Sequence, residues 1–169
     1  MIMKTAIVFY SMGGNTALAA GRLAEALSAD LIELRPKRAY PNKGFRKFFW
    51  GGKSAVMGDS PELEPYIFHA EEYGRIIFGF PVWAASIAPP IRTFLRENLR
   101  SLKDKEIAAF ACQSGSGAEK ALKKLADCMR RDSLSPVMIL IDPRDRPSPE
   151  NDRKIAAFLA QLSDGEKAK

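Results

Sequence analysis

Metal and disulfide chemistry have little to work with in this chain. Its 169 residues include two cysteines, Cys112 and Cys128, and one histidine, His69. That excludes a disulfide-built scaffold and a histidine-rich metal site, and leaves no histidine to spare for a Ser-His-Asp triad. No apolar run reaches the ~20 residues that a membrane-spanning helix requires. No secretory apolar core follows Met1-Ile2-Met3-Lys4-Thr5, so the thiols read as reduced ones and the cytoplasm is the expected location. Acidic residues are the minority: 26 Lys and Arg against 20 Asp and Glu give a net charge of +6. Such a surplus favours acidic partners; nucleic acid is disfavoured, since no recognition motif accompanies the charge.

What is present is average soluble composition, 46% hydrophobic and 27% charged, at a length suited to one domain. Ala6-Ile7-Val8-Phe9-Tyr10 is a nearly continuous apolar run ending at Gly13-Gly14, the pattern of a strand buried on both faces. From Asn15 to Ser28 the period becomes helical, with Leu18, Leu23 and Leu27 at helical spacing among alanines and charged residues. The alternation continues through strands at Leu31–Leu34, Arg75–Phe80, Ile107–Cys112 and Val137–Ile141, with helices over Ile91–Leu99, Ala118–Met129 and about Asn151–Leu162. Strands alternating with helices predict an α/β fold with a five-stranded parallel sheet, a single domain over residues 1–163. Residues 164–169 are charged and lack an apolar face, so they are expected to fray.

About forty residues separate Leu34 from Arg75, far more than an ordinary connection. An inserted segment at about 36–60 carries Arg38, Lys43, Arg46, Lys47 and Lys53 among Tyr40, Phe45, Phe48, Phe49 and Trp50. It reads either as an amphipathic cover over the sheet edge or as a contact surface for an acidic redox protein, for the phosphates of NAD(P)H, or for a second copy of the chain.

In an open parallel sheet, ligands bind beyond the carboxyl ends of the strands. Three loops there are unusual. Ser11-Met12-Gly13-Gly14-Asn15-Thr16 joins a strand to a helix and suits an anion, where free backbone amides and the helix dipole meet; a plain capped turn is the alternative. Pro81-Val82-Trp83-Ala84-Ala85-Ser86 offers a large ring for stacking on a planar ligand, or for covering the core. Gln113-Ser114-Gly115-Ser116-Gly117 permits close backbone approach and hydrogen bonds to a heterocycle, or is simply a turn. Together the loops describe a phosphorylated aromatic cofactor such as flavin mononucleotide (FMN).

Other motifs lack a required part. Gly51-Gly52-Lys53-Ser54 would need an earlier glycine where Lys47 stands, which removes a nucleotide-triphosphate loop. Gly115-Ser116-Gly117 has Lys120 in place of the third glycine of a dinucleotide fingerprint. A phosphatase built on Cys112 would need an arginine at Ala118, so a buried structural thiol is the better reading.

Tyr10-Ser11-Met12-Gly13-Gly14-Asn15-Thr16 resembles the phosphate loop of the flavodoxin family, and Gly79-Phe80-Pro81-Val82-Trp83 resembles its second flavin loop. The resemblance implies a doubly wound sheet of strand order 2-1-3-4-5. It implies that Ser11, Met12, Gly13, Gly14, Asn15 and Thr16 wrap the FMN phosphate, that Pro81, Val82, Trp83 and Ala84 border the ring system, and that Gln113, Ser114, Gly115 and Gly117 meet its pyrimidine end. Two departures stand out: the family's usual loop has a threonine at the position of Gly13, and many of its members are acidic. The implied function is an FMN redox protein carrying electrons between cytoplasmic partners. An NAD(P)H-dependent reductase of quinones or other small molecules, and a flavin-free module binding a phosphate ligand or a protein, remain as alternatives.

Overall fold

The computed structural model describes residues 3–40 and 60–168. Most of the inserted segment, including Lys43, Phe45, Trp50 and Lys53, therefore lies outside the described residues. Five strands form one sheet: β1 (Thr5–Phe9), β2 (Asp30–Glu33), β3 (Arg75–Pro81), β4 (Glu106–Gln113) and β5 (Val137–Ile141). Between and after them run α1 (Asn15–Leu27), α2 (Pro89–Asn98), α3 (Ala118–Cys128) and α4 (Pro149–Lys167). Every pairing is parallel and the order is β2-β1-β3-β4-β5, as the resemblance implied. No helix among the described residues is long and apolar enough to cross a membrane.

Alternate residues of a strand point to opposite faces, so a strand covered on both sides needs apolar residues throughout. Ile7, Phe9, Ile77, Phe110 and Leu140 pack with Leu23 of α1 and Ile155, Phe158 and Leu162 of α4. Ala6, Val8, Ile76, Phe78 and Phe80 pack on the other face with Ile91 and Phe94 of α2 and with Leu122 and Leu125 of α3. Gly79 pairs in register with Phe110, and a Cβ at Gly79 would overlap the phenyl ring. β2 is one of the two edge strands, and in it only Ile32 is buried and Leu31 is 49% exposed.

The long connection after β2 is tied at its base. Lys37 N–H donates to Glu62 O at 2.9 Å and Glu64 N–H donates to Arg35 O at 2.7 Å, making an antiparallel bridge between Pro36 and Leu63. Tyr40 then packs against the core.

α4 differs from its expected extent at both ends. It begins at Pro149, with Ser148 Oγ accepting from Asn151 N–H at 3.2 Å, a side-chain cap followed by proline at the first helical position. At its other end the helix runs on through the charged residues of the tail to Lys167. The reason is a partner distant in sequence. Arg75 at the start of β3 is 1% exposed and donates to Glu106 Oε1 at 3.1 and 3.2 Å, to Glu166 Oε1 at 2.9 Å and to Leu162 O at 3.1 Å. A buried cation must have all its donors satisfied, and the last turns of α4 supply two of the acceptors.

Arg75→Ala is expected to cost about 3 kcal/mol, because it strands partly buried carboxylates, whereas Glu166→Gln, on a group a third exposed, is expected to cost under about 1 kcal/mol. Urea denaturation checks both, and amide exchange over residues 163–167 should accelerate in Arg75→Ala. Equal costs for the two variants would show that the buried cation does not hold the tail.

Candidate cofactor site

β1 lies between β2 and β3, so the chain leaves β1 in one direction and β3 in the other, and the loops beyond their carboxyl ends diverge around a crevice. A cavity of about 220 Å³ opens there. Ser11, Met12, Gly13, Asn15, Thr16, Pro81, Val82, Trp83 and Ser114, all expected from sequence, line it together with Cys112 and Asp142. Gly14, Ala84, Gln113, Gly115 and Gly117 do not line it; they shape the loops that do.

The first loop turns into α1 through Gly14, whose φ of +91° is left-handed. Gly14, at the cap position, has no side chain to offer the helix start. Ser11 Oγ accepts from Ala17 N–H at 3.1 Å, and among the described residues the amides of Gly13, Gly14, Asn15 and Thr16 have no hydrogen-bond partner. Unpaired donors at a helix N-terminus attract an anion. The Thr16 side chain is buried beneath them.

The second loop is a tight turn in which Trp83 and Ser86 exchange backbone hydrogen bonds of 3.2 and 2.9 Å around Ala84 and Ala85. Both alanines are left-handed, with φ of +47° and +54°, at a cost of roughly 1–2 kcal/mol each. The turn is braced from behind by the third loop. Gly117, at φ +102°, has no Cβ, and one placed there would stand 2.9 Å from Ala85 Cα. Trp83 is 3% exposed, its indole edge-on to Tyr10 and Tyr40 with centroids at 5.6 and 5.3 Å. It thus covers the core and borders the cavity at once.

In the third loop, Gln113 Oε1 accepts from Ala118 N–H at 2.9 Å, so this side chain is spent on the start of α3. Gln113 O accepts from Asp142 N–H at 3.1 Å, and Ser114 Oγ donates to Asp142 Oδ1 at 2.8 Å. Arg146 pairs with the Asp142 carboxylate and donates to Ser114 O at 2.6 Å. The loop after β5, from which the sequence analysis took no site residue, therefore belongs to the site's frame. Its signal was available, since Asp142, Arg144, Asp145 and Arg146 cluster at the carboxyl end of a strand.

Cys112 forms part of the cavity wall, and burial pushes its thiol up to about 12; the Asp142 charge adds to this and a hydrogen bond with Thr16 opposes it. It is a neutral thiol rather than a nucleophile. Among the described residues no cluster of His, Cys, Asp and Glu could hold a metal ion. The arrangement can hold an anion on backbone amides beside a partly apolar cleft.

The family model described as Flavodoxin matches residues 4–144. The chain belongs to the flavodoxin family. Among solved structures, this flavodoxin-family chain is similar to a candidate flavoprotein from Bacteroides eggerthii, at 23% identity and a TM-score of 0.74 over 94% of this chain and 96% of that one. It is also similar to a flavoprotein in complex with FMN from Lactobacillus acidophilus, at 23% identity and TM-score 0.68 over 90% and 98%. A WrbA-like flavodoxin from Agrobacterium tumefaciens shares 14% identity at TM-score 0.61 over 99% of each chain. No curated protein sequence matches. These likenesses establish the fold.

Two outcomes follow from the site's construction. A thiol reagent at pH 8 should label exposed Cys128 quickly and Cys112 only after denaturation, as read by mass spectrometry; rapid labelling of both would show an open cavity wall. Gly117→Ala should lower stability by about 1–3 kcal/mol, from a left-handed residue and a backbone clash with Ala85, as read by chemical denaturation.

Proposed function

We propose that this protein binds FMN in the cavity between the β1 and β3 loops and works as a redox protein that exchanges electrons with other molecules. The observation that carries the reading is the run of unpaired amides from Gly13 to Thr16, set on the wall of a cleft that Pro81, Val82 and Trp83 border. A phosphate and a flat ring need those two features side by side. Membership of the flavodoxin family and the FMN held by the Lactobacillus acidophilus protein support the choice of flavin over another phosphorylated aromatic.

When bound, FMN supplies the electron-accepting chemistry, and the protein's part is to hold, orient and shield it. The amides of Gly13 to Thr16 and the hydroxyls of Ser11 and Thr16 would receive the phosphate. Pro81, Val82 and Trp83 would border the ring system. Val82 and Cys112, both nearly buried, keep water from the cavity wall. Because the flavin carries the reaction, no side chain need act as an acid or base. The net charge of +6 favours an acidic redox partner, whose encounter rate would fall as salt rises.

Purified protein stripped of flavin, mixed with FMN and freed of excess cofactor should show visible flavin absorption near one equivalent per chain. A folded protein that stays colourless would overturn the reading in favour of a flavin-free binding module.

A further inference from the structure

The loop after β5 is bound to the phosphate-loop region more tightly than a simple connection needs. Asn15 Oδ1 accepts from the amides of Arg144 and Asp145 at 2.8 and 3.2 Å, and Asn15 Nδ2 donates to Asp145 Oδ2 at 2.9 Å. With its backbone fixed there, Arg144 extends its guanidinium over the loop, and Nη1 donates to Gly13 O at 2.6 Å. It occupies the space above Gly14 that a Cβ would overlap. The glycine thus serves two ends, a left-handed turn and a seat for the guanidinium.

Neighbouring charges are engaged elsewhere. Arg146 pairs with Asp142, and the Asp145 carboxylate accepts from the Asn15 amide. Among the described residues Arg144 has no carboxylate partner within ion-pair distance. An unpaired guanidinium therefore stands one residue from a row of unpaired amides, while Gly13, which lines the cavity, offers no side chain.

We propose that Arg144 is a specificity-determining residue for the anionic end of the ligand: its charge, held against Gly13 and Gly14, makes the site prefer FMN to the uncharged riboflavin. The identity of the ligand rests on the FMN reading above; the recognition of a phosphate group does not. Arg144 does not line the cavity, so it acts on the phosphate through space and through the loop it braces. An effect of that kind is several-fold rather than all-or-none, and salt weakens it.

The test compares dissociation constants for FMN and riboflavin on flavin-stripped wild-type, Arg144→Gln and Arg144→Lys proteins, at low and high salt. Arg144→Gln keeps a donor for Gly13 O but loses the charge. It should weaken FMN about fivefold while leaving riboflavin within about twofold; Arg144→Lys should retain most of the preference, and high salt should shrink it in the wild type. Gly13→Thr on the Arg144→Gln background should recover part of the loss, since a Cβ at Gly13 would meet nothing within 4 Å and the threonine would add a hydroxyl donor. An FMN-to-riboflavin ratio in Arg144→Gln equal to that of the wild type, whether or not both affinities fall, would overturn the proposal and leave Arg144 a brace only. If the wild type binds neither flavin, the FMN reading fails and inorganic phosphate becomes the probe. Amide shifts of Gly13 to Thr16 that need several-fold more phosphate in Arg144→Gln would then support the role of the charge, and an unchanged titration would overturn it.

Discussion

Burial of the sheet on both faces is the constraint from which the rest of this structure follows. Because β1, β3 and β4 each send alternate residues into opposite cores, helices must cover both sides, and parallel strands with crossover helices satisfy that requirement. All carboxyl ends then lie along one edge. With β1 flanked by β2 and β3, the chain runs outward both ways from the middle of the sheet. The crevice is therefore a product of topology, and its lining residues come from segments more than a hundred positions apart.

Rigid strands alone would not fix the loops. Side chains reaching across turns do that work: Ser11 to the start of α1, Gln113 to the start of α3, and Asn151 to both the amide and the carbonyl of Ile141 at 3.0 and 2.8 Å. Asn15 and Arg146 then join the β5 loop to the β1 and β4 loops. Each bridge satisfies groups at the end of an element while limiting loop freedom before any ligand arrives, which lowers the entropy lost on binding. At the start of α1 Ser11 takes only the Ala17 amide, and among the described residues the amides of Gly13 to Thr16 keep no partner.

Two arginines at opposite ends of the sheet show how position decides what a charge does. Arg75, at the amino edge, is enclosed, and its donors are taken by Glu106, Glu166 and Leu162, so its charge is spent on docking α4. Arg144, at the carboxyl edge, is exposed and among the described residues binds only a carbonyl through its side chain. A charge fully paired in the interior contributes to architecture, whereas one left without a counter-charge beside an anion-seeking loop retains field to offer a ligand.

The strands and the succession of helices were readable from local pattern, since continuous apolar runs such as Ala6–Tyr10 and helical spacing such as Leu23 and Leu27 reflect burial that each segment carries in its own composition, although Leu18, read with them, is 40% exposed. The loops that line the cavity were readable for a related reason: Gly13-Gly14 and Pro81-Val82-Trp83 sit directly after apolar runs. What escaped local reading depends on partners far along the chain. The last turns of α4 carry no periodic apolar face, and only the buried Arg75 explains why they stay helical. Asn15 and Gln113 looked like ligand contacts, yet tertiary geometry gives their side chains to Arg144, Asp145 and Ala118. Asp142 and Arg144 drew no notice in the sequence, and the sheet order carries Asp142 to the cavity and Arg144 onto the Gly13 carbonyl. Periodicity records which residues must leave water; which polar groups meet there is set by how the chain returns on itself, and no short window of sequence holds that information.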